Sequence, residues 1–366
     1  MGRTKIEWTR NEDGTLGRNW NVTRGCSRIS PGCENCYAER IAERFCDGPG
    51  ETLIGGEVSE PRRVPAQPFH TFAERGKGWT RKVALLPEML AEPLRWRKPT
   101  RVFVCSTSDL FHEALPDSAI DEVLAVMLVA PAHTFQVLTK RAARMRAYFA
   151  DPGLYDRVLR AAGPLRVTFP DTFGVGISNP SVRLPPWIWL GVSVEDQKNA
   201  DARIPDLLAT PAAVRWVSYE PAIGPVDWFP WMHRVPGVLY PERLDWLVIG
   251  GESGPGARPF DLAWAREAIR RGREEGVPCF VKQIGDNVRG DTRTVPDLHT
   301  GKPLHLFVRR WILDDGTEWV PPIIGAHASE RPINAVGFRP MDAKGGTPDQ
   351  WPEDLRVRHF PEVRHG

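Results

Sequence analysis

With 366 residues, a net charge of +2, and 41% apolar against 26% charged residues, the chain is a globular protein with material for a large core, not a disordered one. Its charge balance gives no overall electrostatic pull toward nucleic acid. No apolar run approaches the roughly 18 residues of a membrane span. The charged start "MGRTKIEWTRNEDG" lacks both a signal-peptide core and a myristoylation serine or threonine, so no membrane partner and a cytoplasmic location are expected, where thiols stay reduced.

Seven short apolar runs follow one another, at 19–22, 101–106, 133–139, 187–194, 213–220, 245–252 and 278–283, the second to seventh rich in β-branched and aromatic residues. Each leads into polar residues, and most then run into a helical pattern. This is the rhythm of βαβ units with strands buried on both faces. "ENCYAERIAERF" places Tyr37, Ile41 and Phe45 on one helical stripe. "PDSAIDEVLAVMLVA" offers Asp117 and Ser118 as caps, with Ser118 and Asp121 spaced as a capping box. "FDLAWAREAIRRGREEG" should start at Asp261 and stop at Gly276.

The expected fold is α/β: a partial (open) TIM-type barrel of about six or seven parallel strands with a C-terminal extension, a doubly wound sheet being the competing layout. The barrel would span 1–284, with inserted loops at about 47–84, 163–186 and 225–244. The extension, 285–366, would carry a β-hairpin in "LFVRRWILDDGTEWVPPI", turning at Asp-Asp-Gly-Thr.

Three of six cysteines fall in "GCSRISPGCENCYAER", at Cys26, Cys33 and Cys36, after the first strand and before a helix. Cys46, Cys105 and Cys279 read as buried small hydrophobes. In a reducing compartment the cluster points to metal or catalysis rather than disulfides. Structural zinc wants a fourth ligand, which only a distant residue such as His112 could supply. A [4Fe–4S] cluster takes one cysteine per iron, so three leave one iron open, and this reading leads. Tyr37, directly after the third cysteine, either lies over a bound ring or begins the apolar stripe.

The other strand ends are polar as well. Ser106, Ser108, Asp109 and His112 follow the second strand, Lys140, Arg141 and Arg144 the third, and Ser193 and Glu195 the fourth. Ser218 and Glu220 end the fifth, Glu252 the sixth, and Lys282 and Gln283 the seventh. In a parallel barrel these positions share the rim that carries active sites.

A C-x-x-C followed by an aromatic, at the end of a barrel's first strand, resembles the radical S-adenosylmethionine superfamily, although six residues rather than three separate the first two cysteines. More specifically, "GCSRISPGCENCYAER", "VFVCSTSDLFHEALP", "FQVLTKRAARM", "WLGVSVEDQ", "YEPAIGPV", "VIGGESGPGARP", "CFVKQIG" and "WPEDLRVRHFP" resemble the phage-associated three-Cys-motif family. That family is radical-SAM-like and distantly similar to spore photoproduct lyase. The resemblance covers roughly 4–45, 85–160, 187–285 and 340–360.

It implies that Cys26, Cys33 and Cys36 ligate a [4Fe–4S] cluster whose fourth iron binds S-adenosylmethionine. It places Ser106, Ser108 and Asp109 near the cofactor's amino group and Lys140 or Arg141 near its carboxylate. Ser193 and Glu195 would meet the ribose, and Gly250 and Gly251 the adenosine. Glu220, Glu252 and Lys282 remain for substrate contact or proton transfer.

The implied activity is reductive cleavage of S-adenosylmethionine and hydrogen abstraction from a substrate, fed by a reductant such as flavodoxin or ferredoxin. The substrate reading is nucleic acid or a nucleoside in phage DNA or RNA modification or repair. The Lys140, Arg141, Arg144, Arg146 cluster and some of the fourteen tryptophans would serve it, while Trp189, Trp216 and Trp246 sit within strands and read as core. The alternative is a non-catalytic iron–sulfur or zinc protein that binds nucleic acid.

Overall fold

A computed structural model describes residues 3–46, 71–163, 184–233, 242–289, 348 and 353–361, and the backbone of 51–54, 62–65, 292–296, 303–307, 311–312 and 318–319. Its centre is one seven-stranded parallel sheet: β1 (Arg18–Trp20), β2 (Arg101–Val104), β3 (Thr134–Thr139), β4 (Ile188–Val194), β5 (Val214–Tyr219), β6 (Trp246–Gly250) and β7 (Cys279–Gln283). The strands neighbour one another in chain order and every pairing is parallel. The sheet curls into a half-barrel, an open TIM-type barrel, and all seven expected strands are present.

Alternation sorts the two faces. Val102, Val104, Val137, Leu190, Val192, Val217, Leu247, Ile249 and Val281 point to the helices and form the main core. Their neighbours Phe103, Trp189, Trp216, Trp246 and Phe280 form a second cluster on the inner face with Trp8, from the turn Glu7–Thr9. The tryptophans expected to be core are core. The floor of the half-barrel is thus an aromatic plug, with Trp216 and Trp246 ring centres 5.5 Å apart and Trp8 and Trp216 5.0 Å apart.

The helices that bear on the site are α1 (Tyr37–Phe45), α2 (Asp117–Leu128), α3 (Ala142–Phe149), α4 (Leu154–Ala162), α5 (Gln197–Leu208) and α6 (Leu262–Glu275). α6 starts and stops where expected: the Asp261 carboxylate accepts from Ala263 N–H, and Gly276 closes the helix at φ 67°. The capping box at α2 does not form. Pro116 takes the cap position without a side-chain bond, and Asp121 is buried, accepting from Tyr148 Oη (2.7 Å) and pairing with Arg157 (3.1 Å). A buried carboxylate is drawn to a guanidinium more strongly than to a helix end.

The stripe Tyr37, Ile41 and Phe45 on α1 is exposed; the helix buries Ala38, Glu39 and Ala42 instead. α1 packs chiefly on the hairpin Ala73–Glu74/Gly78–Trp79. Glu39 fastens it there by accepting from Trp79 N–H (3.0 Å) and Arg28 Nε (2.7 Å).

Within the stretch expected as a loop at 47–84, strand pairs form at Glu51–Ile54/Arg62–Pro65 and Ala73–Glu74/Gly78–Trp79. The expected loop at 225–244 contains the helical turn Phe229–Met232, while 234–241 and most of 163–186 lie outside the described residues. In the extension, Trp311–Ile312 pairs antiparallel with Glu318–Trp319 around the expected turn, and Thr292–Pro296 pairs with Pro303–Phe307. The segment at 356–360 runs antiparallel along β7 through Val281 N–H to Val357 O (2.7 Å) and His359 N–H to Cys279 O (2.9 Å), covering that sheet edge. No helix among the described residues is long and apolar enough to cross a membrane.

Candidate functional site

The cysteine loop rises from β1 and ends in α1. Gly25 starts it at φ 91°, where an added Cβ would meet Lys82 O at 2.0 Å; only glycine fits. A tight turn, Pro31–Cys33, brings Cys33 inward, and Cys36 occupies the N-cap of α1. All three thiols are free.

Three strand ends grip the loop. From the end of β3, Arg141 donates through Nη2 to Ser27 Oγ (2.8 Å) and Ser27 O (3.2 Å), with Nη1 at 3.8 Å from Cys26 Sγ. Arg141 is itself fixed by Asp109 (3.0 Å) and Glu113 (2.8 Å). From the end of β4, Glu195, fully buried, accepts from Ser30 Oγ at 2.9 Å, while a Cβ on Gly32 would lie 2.4 Å from its side chain. From the end of β6, Glu252 accepts from Asn35 Nδ2 at 3.0 Å and holds Arg258 in a two-pronged ion pair (2.7 and 3.0 Å). Arg258 in turn reaches Pro31 O at 2.8 Å and Glu34 at 3.2 Å.

These contacts reassign several residues. Glu195 is fully buried, accepting from Lys140 (2.5 Å) and Ser30 on Oε1 and from Arg203 (3.0 Å) on Oε2, so it turns to the protein and not to a ribose. Asp109 is buried and saturated, accepting from Phe111 N–H, Thr139 Oγ1, Lys140 N–H and Arg141. Ser108 bonds back to Thr23, and Ser106 Oγ donates to Asn21. Gly251 is required by packing, since a Cβ there would stand 2.5 Å from Ile284 O, while a Cβ at Gly250 would press on the Glu220 side chain at 3.2 Å. Glu252, expected as a substrate contact, is a loop brace.

The basic cluster is not a free basic surface. Lys140 pairs with Glu195, Arg141 with Asp109, Arg144 with Asp117 (2.5 Å) and Arg146 with Asp206 (3.0 Å).

What faces the mouth is a shorter set. Tyr37 Oη donates to Ser106 O at the end of β2, so its ring stands at the rim. Lys140 Nζ donates to Ser193 Oγ at 2.5 Å. Glu220 accepts from Lys282 Nζ (2.5 Å) and Gln283 Nε2 (3.1 Å), both on Oε1; both partners of the ion pair are partly exposed.

Burial pushes the Cys26 thiol up to about 12, with Asp109 adding to the rise and Arg141 opposing it. Burial also raises Cys36, against hydrogen bonds from the Glu39 and Ala38 N–H groups of the first turn of α1. Cys36 feels Cys33, and Cys26 feels Cys36, so the three sulfurs share one electrostatic neighbourhood. Burial thus favours the protonated thiols at Cys26 and Cys36, and binding a soft metal centre would have to displace those protons.

Among the described residues no three His, Cys, Asp or Glu side chains are gathered to hold a single ion. Sulfur ligands of a cluster each bind a different iron, so they need not converge as zinc ligands do. His112 is not a zinc ligand in waiting: Nε2 bonds Ser27 Oγ (2.8 Å) and Nδ1 accepts Ala114 N–H (3.1 Å). Three cysteine thiols are the number and type of ligand that an iron–sulfur cluster with one open iron would take.

Ser27, Ser30, Asn35, Arg203 and Arg258 were not singled out from sequence. Arg258 meets Pro31 across 227 positions of chain, and no local spacing signals such a contact.

Arg258→Ala is expected to free the cysteine loop, lowering metal uptake several-fold while the far-ultraviolet circular dichroism stays native. Burial raises the Glu252 carboxyl, but Arg258 and Asn35 hold it below its ordinary value overall. The brace is therefore complete above the ordinary carboxylate value of roughly 4.3 and is lost as pH falls through the lower, folded value. A pH titration of metal retention should lose this acid limb in the variant.

No curated protein and no solved structure matches the chain. A protein-family model described as "Protein of unknown function (DUF5131)" matches residues 3–311, a span that holds the cysteine loop, the half-barrel and every rim residue described above. The chain belongs to the DUF5131 family.

Proposed function

We propose that the protein is a radical S-adenosylmethionine enzyme. The observation that carries the reading is the cysteine loop. Three free thiols stand on one segment that the ends of β3, β4 and β6 fix at the mouth of an open parallel barrel. Cys26, Cys33 and Cys36 would hold a [4Fe–4S] cluster. When bound, such a cluster supplies the electron that splits S-adenosylmethionine into methionine and a 5′-deoxyadenosyl radical able to take a hydrogen atom from substrate.

The chain's own part is positioning. Arg141, Glu195 and Glu252 keep the loop in place. Tyr37, Ser106, Lys140 and Ser193 line the near side of the mouth, where the cofactor would lie. Glu220 and Lys282 face it from β5 and β7 and suit substrate contact or proton transfer: Lys282 keeps hydrogens to donate beyond the one given to Glu220. The aromatic floor excludes water from below.

A flavodoxin- or ferredoxin-type donor would feed the electron. The substrate reading, nucleic acid or a nucleoside, rests on the family resemblance, since the basic cluster is consumed by ion pairs.

The test is anaerobic reconstitution with iron and sulfide, then reduction with dithionite in the presence of S-adenosylmethionine. Wild type should release 5′-deoxyadenosine and Cys36→Ala none. A reconstituted cluster that yields no 5′-deoxyadenosine, or a protein that takes zinc, would support the non-catalytic binding protein instead.

A further inference from the structure

We infer that Ser218 and Oε2 of Glu220, with Lys282 beside them, form a subsite for a vicinal diol, so that the substrate at the mouth carries ribose rather than deoxyribose. The inference rests on the placement of substrate at Glu220 and Lys282 proposed above.

Ser218 follows Trp216 by two positions on β5. Trp216 belongs to the inner-face cluster, so alternation turns Ser218 inward as well, one layer above the floor. It stands in register with Ser193 of β4 and Val248 of β6. Glu220, two positions further on, reaches Lys282 of β7 across Gly250 of β6. A Cβ on Gly250 would press on the Glu220 side chain at 3.2 Å, so the glycine leaves the ion pair room to form.

Ser218 is 3% exposed, yet its hydroxyl makes no hydrogen bond among the described residues. A hydroxyl buried without a partner is costly, and a bound group would supply one. Its neighbour Ser193 is fully engaged, accepting from Lys140 Nζ (2.5 Å) and donating to Glu220 O (3.1 Å). Glu220 takes both of its donors, Lys282 Nζ and Gln283 Nε2, on Oε1. Among the described residues Oε2 receives none. Lys282 keeps hydrogens to give beyond the one on Glu220.

These groups select a ligand. Oε2 calls for donors, Lys282 for acceptors, and Ser218 takes either. A phosphate or carboxylate brings acceptors alone and sets its charge against Glu220. An apolar group leaves all three without partners. A hydroxyl both gives and accepts. Ser218 and Glu220 lie about 6.6 Å apart along the chain, a separation that two adjacent hydroxyls bridge with one hydrogen bond at each end. Lys140 and Ser193 are tied through Glu195 and Ser30 to the cysteine loop, which marks the cofactor's side of the mouth. Among the described residues no hydrogen bond ties the side chains of Ser218 or Lys282 to that loop, so theirs is the substrate's side.

The experiment is calorimetry on unreduced, iron-loaded full-length protein saturated with S-adenosylmethionine. Uridine, cytidine and guanosine are each compared with the 2′-deoxy counterpart. At least one ribonucleoside should bind about tenfold more tightly than its counterpart, as expected where a site bonds a ligand hydroxyl. Ser218→Ala should abolish that preference. Ser218→Thr, which keeps the hydroxyl, should retain it, and both variants should hold S-adenosylmethionine as wild type does. A wild type that binds no ribonucleoside more tightly than its counterpart, or a preference that survives Ser218→Ala, overturns the inference and leaves the cluster reading standing. Weakened S-adenosylmethionine binding in Ser218→Ala would give the diol to the cofactor and overturn the substrate assignment. A protein without iron that still shows the Ser218-dependent preference keeps the subsite and overturns the cluster reading.

Discussion

Trp246→Ala is expected to lower the free energy of unfolding by about 3–5 kcal/mol, the largest effect of any single truncation on the inner face. The side chain is fully buried and joins three parts of the chain distant in sequence. Its ring lies against Trp216 and Trp189 of the sheet, against Trp8 of the N-terminal turn, and against Phe360 of the C-terminal segment at 5.5 Å. Its Nε1 donates to His359 O at 2.8 Å. Removing it opens a cavity and strands that carbonyl. Urea unfolding followed by tryptophan fluorescence measures the loss. A drop within about 0.5 kcal/mol, the scale of an ordinary surface change, would mean that the floor is not a packed unit.

Glu195→Ala is the second large effect. It leaves Lys140 and Arg203 facing each other without the carboxylate that lies 2.5 and 3.0 Å from them, and unpairing buried charge costs about 3–5 kcal/mol. It also frees Ser30, so the turn that carries Cys33 loses its anchor. Stability and metal uptake should fall together. Glu195→Gln keeps volume and part of the hydrogen bonding, so it should fall between the alanine variant and wild type. A Glu195→Ala protein of native stability and full metal content would show that the brace has no such role.

The sheet was legible because parallel strands buried on both faces leave near-continuous apolar runs. All seven were found, with boundaries displaced by no more than two residues at either end. The pairing of Trp311–Ile312 with Glu318–Trp319 was legible from the Asp-Asp-Gly-Thr between them, and α6 from Asp261 and Gly276. The segment at 356–360 was not, because it contributes a pairing along β7, the single buried Val357 and the Phe360 ring against Trp246 and Phe280, none of which shows as a periodic run.

α1 misled for another reason. Its apolar stripe implies a core that lies elsewhere, since the helix is held by the buried carboxylate of Glu39 and leaves Tyr37, Ile41 and Phe45 outside.

The rim shows where residue type runs out. Polar residues at strand ends were correctly placed on one face, yet their partners decide their roles. Ser30 meets Glu195 across 165 positions and Asn35 meets Glu252 across 217. From sequence, Glu195 and Glu252 look like Glu220. In the fold, two of the three carboxylates brace the cysteine loop, and the third is left at the mouth with Lys282. The same accounting removes the basic cluster, whose four charges each meet an acid.

The most direct measurement is the iron and acid-labile sulfide content of anaerobically purified wild-type protein, with the paramagnetic spectrum of its reduced state recorded before and after adding S-adenosylmethionine. The account predicts about four iron and four sulfide per chain and a spectrum that changes on addition. Protein that carries zinc or no metal, or a cluster whose spectrum ignores S-adenosylmethionine, would contradict it.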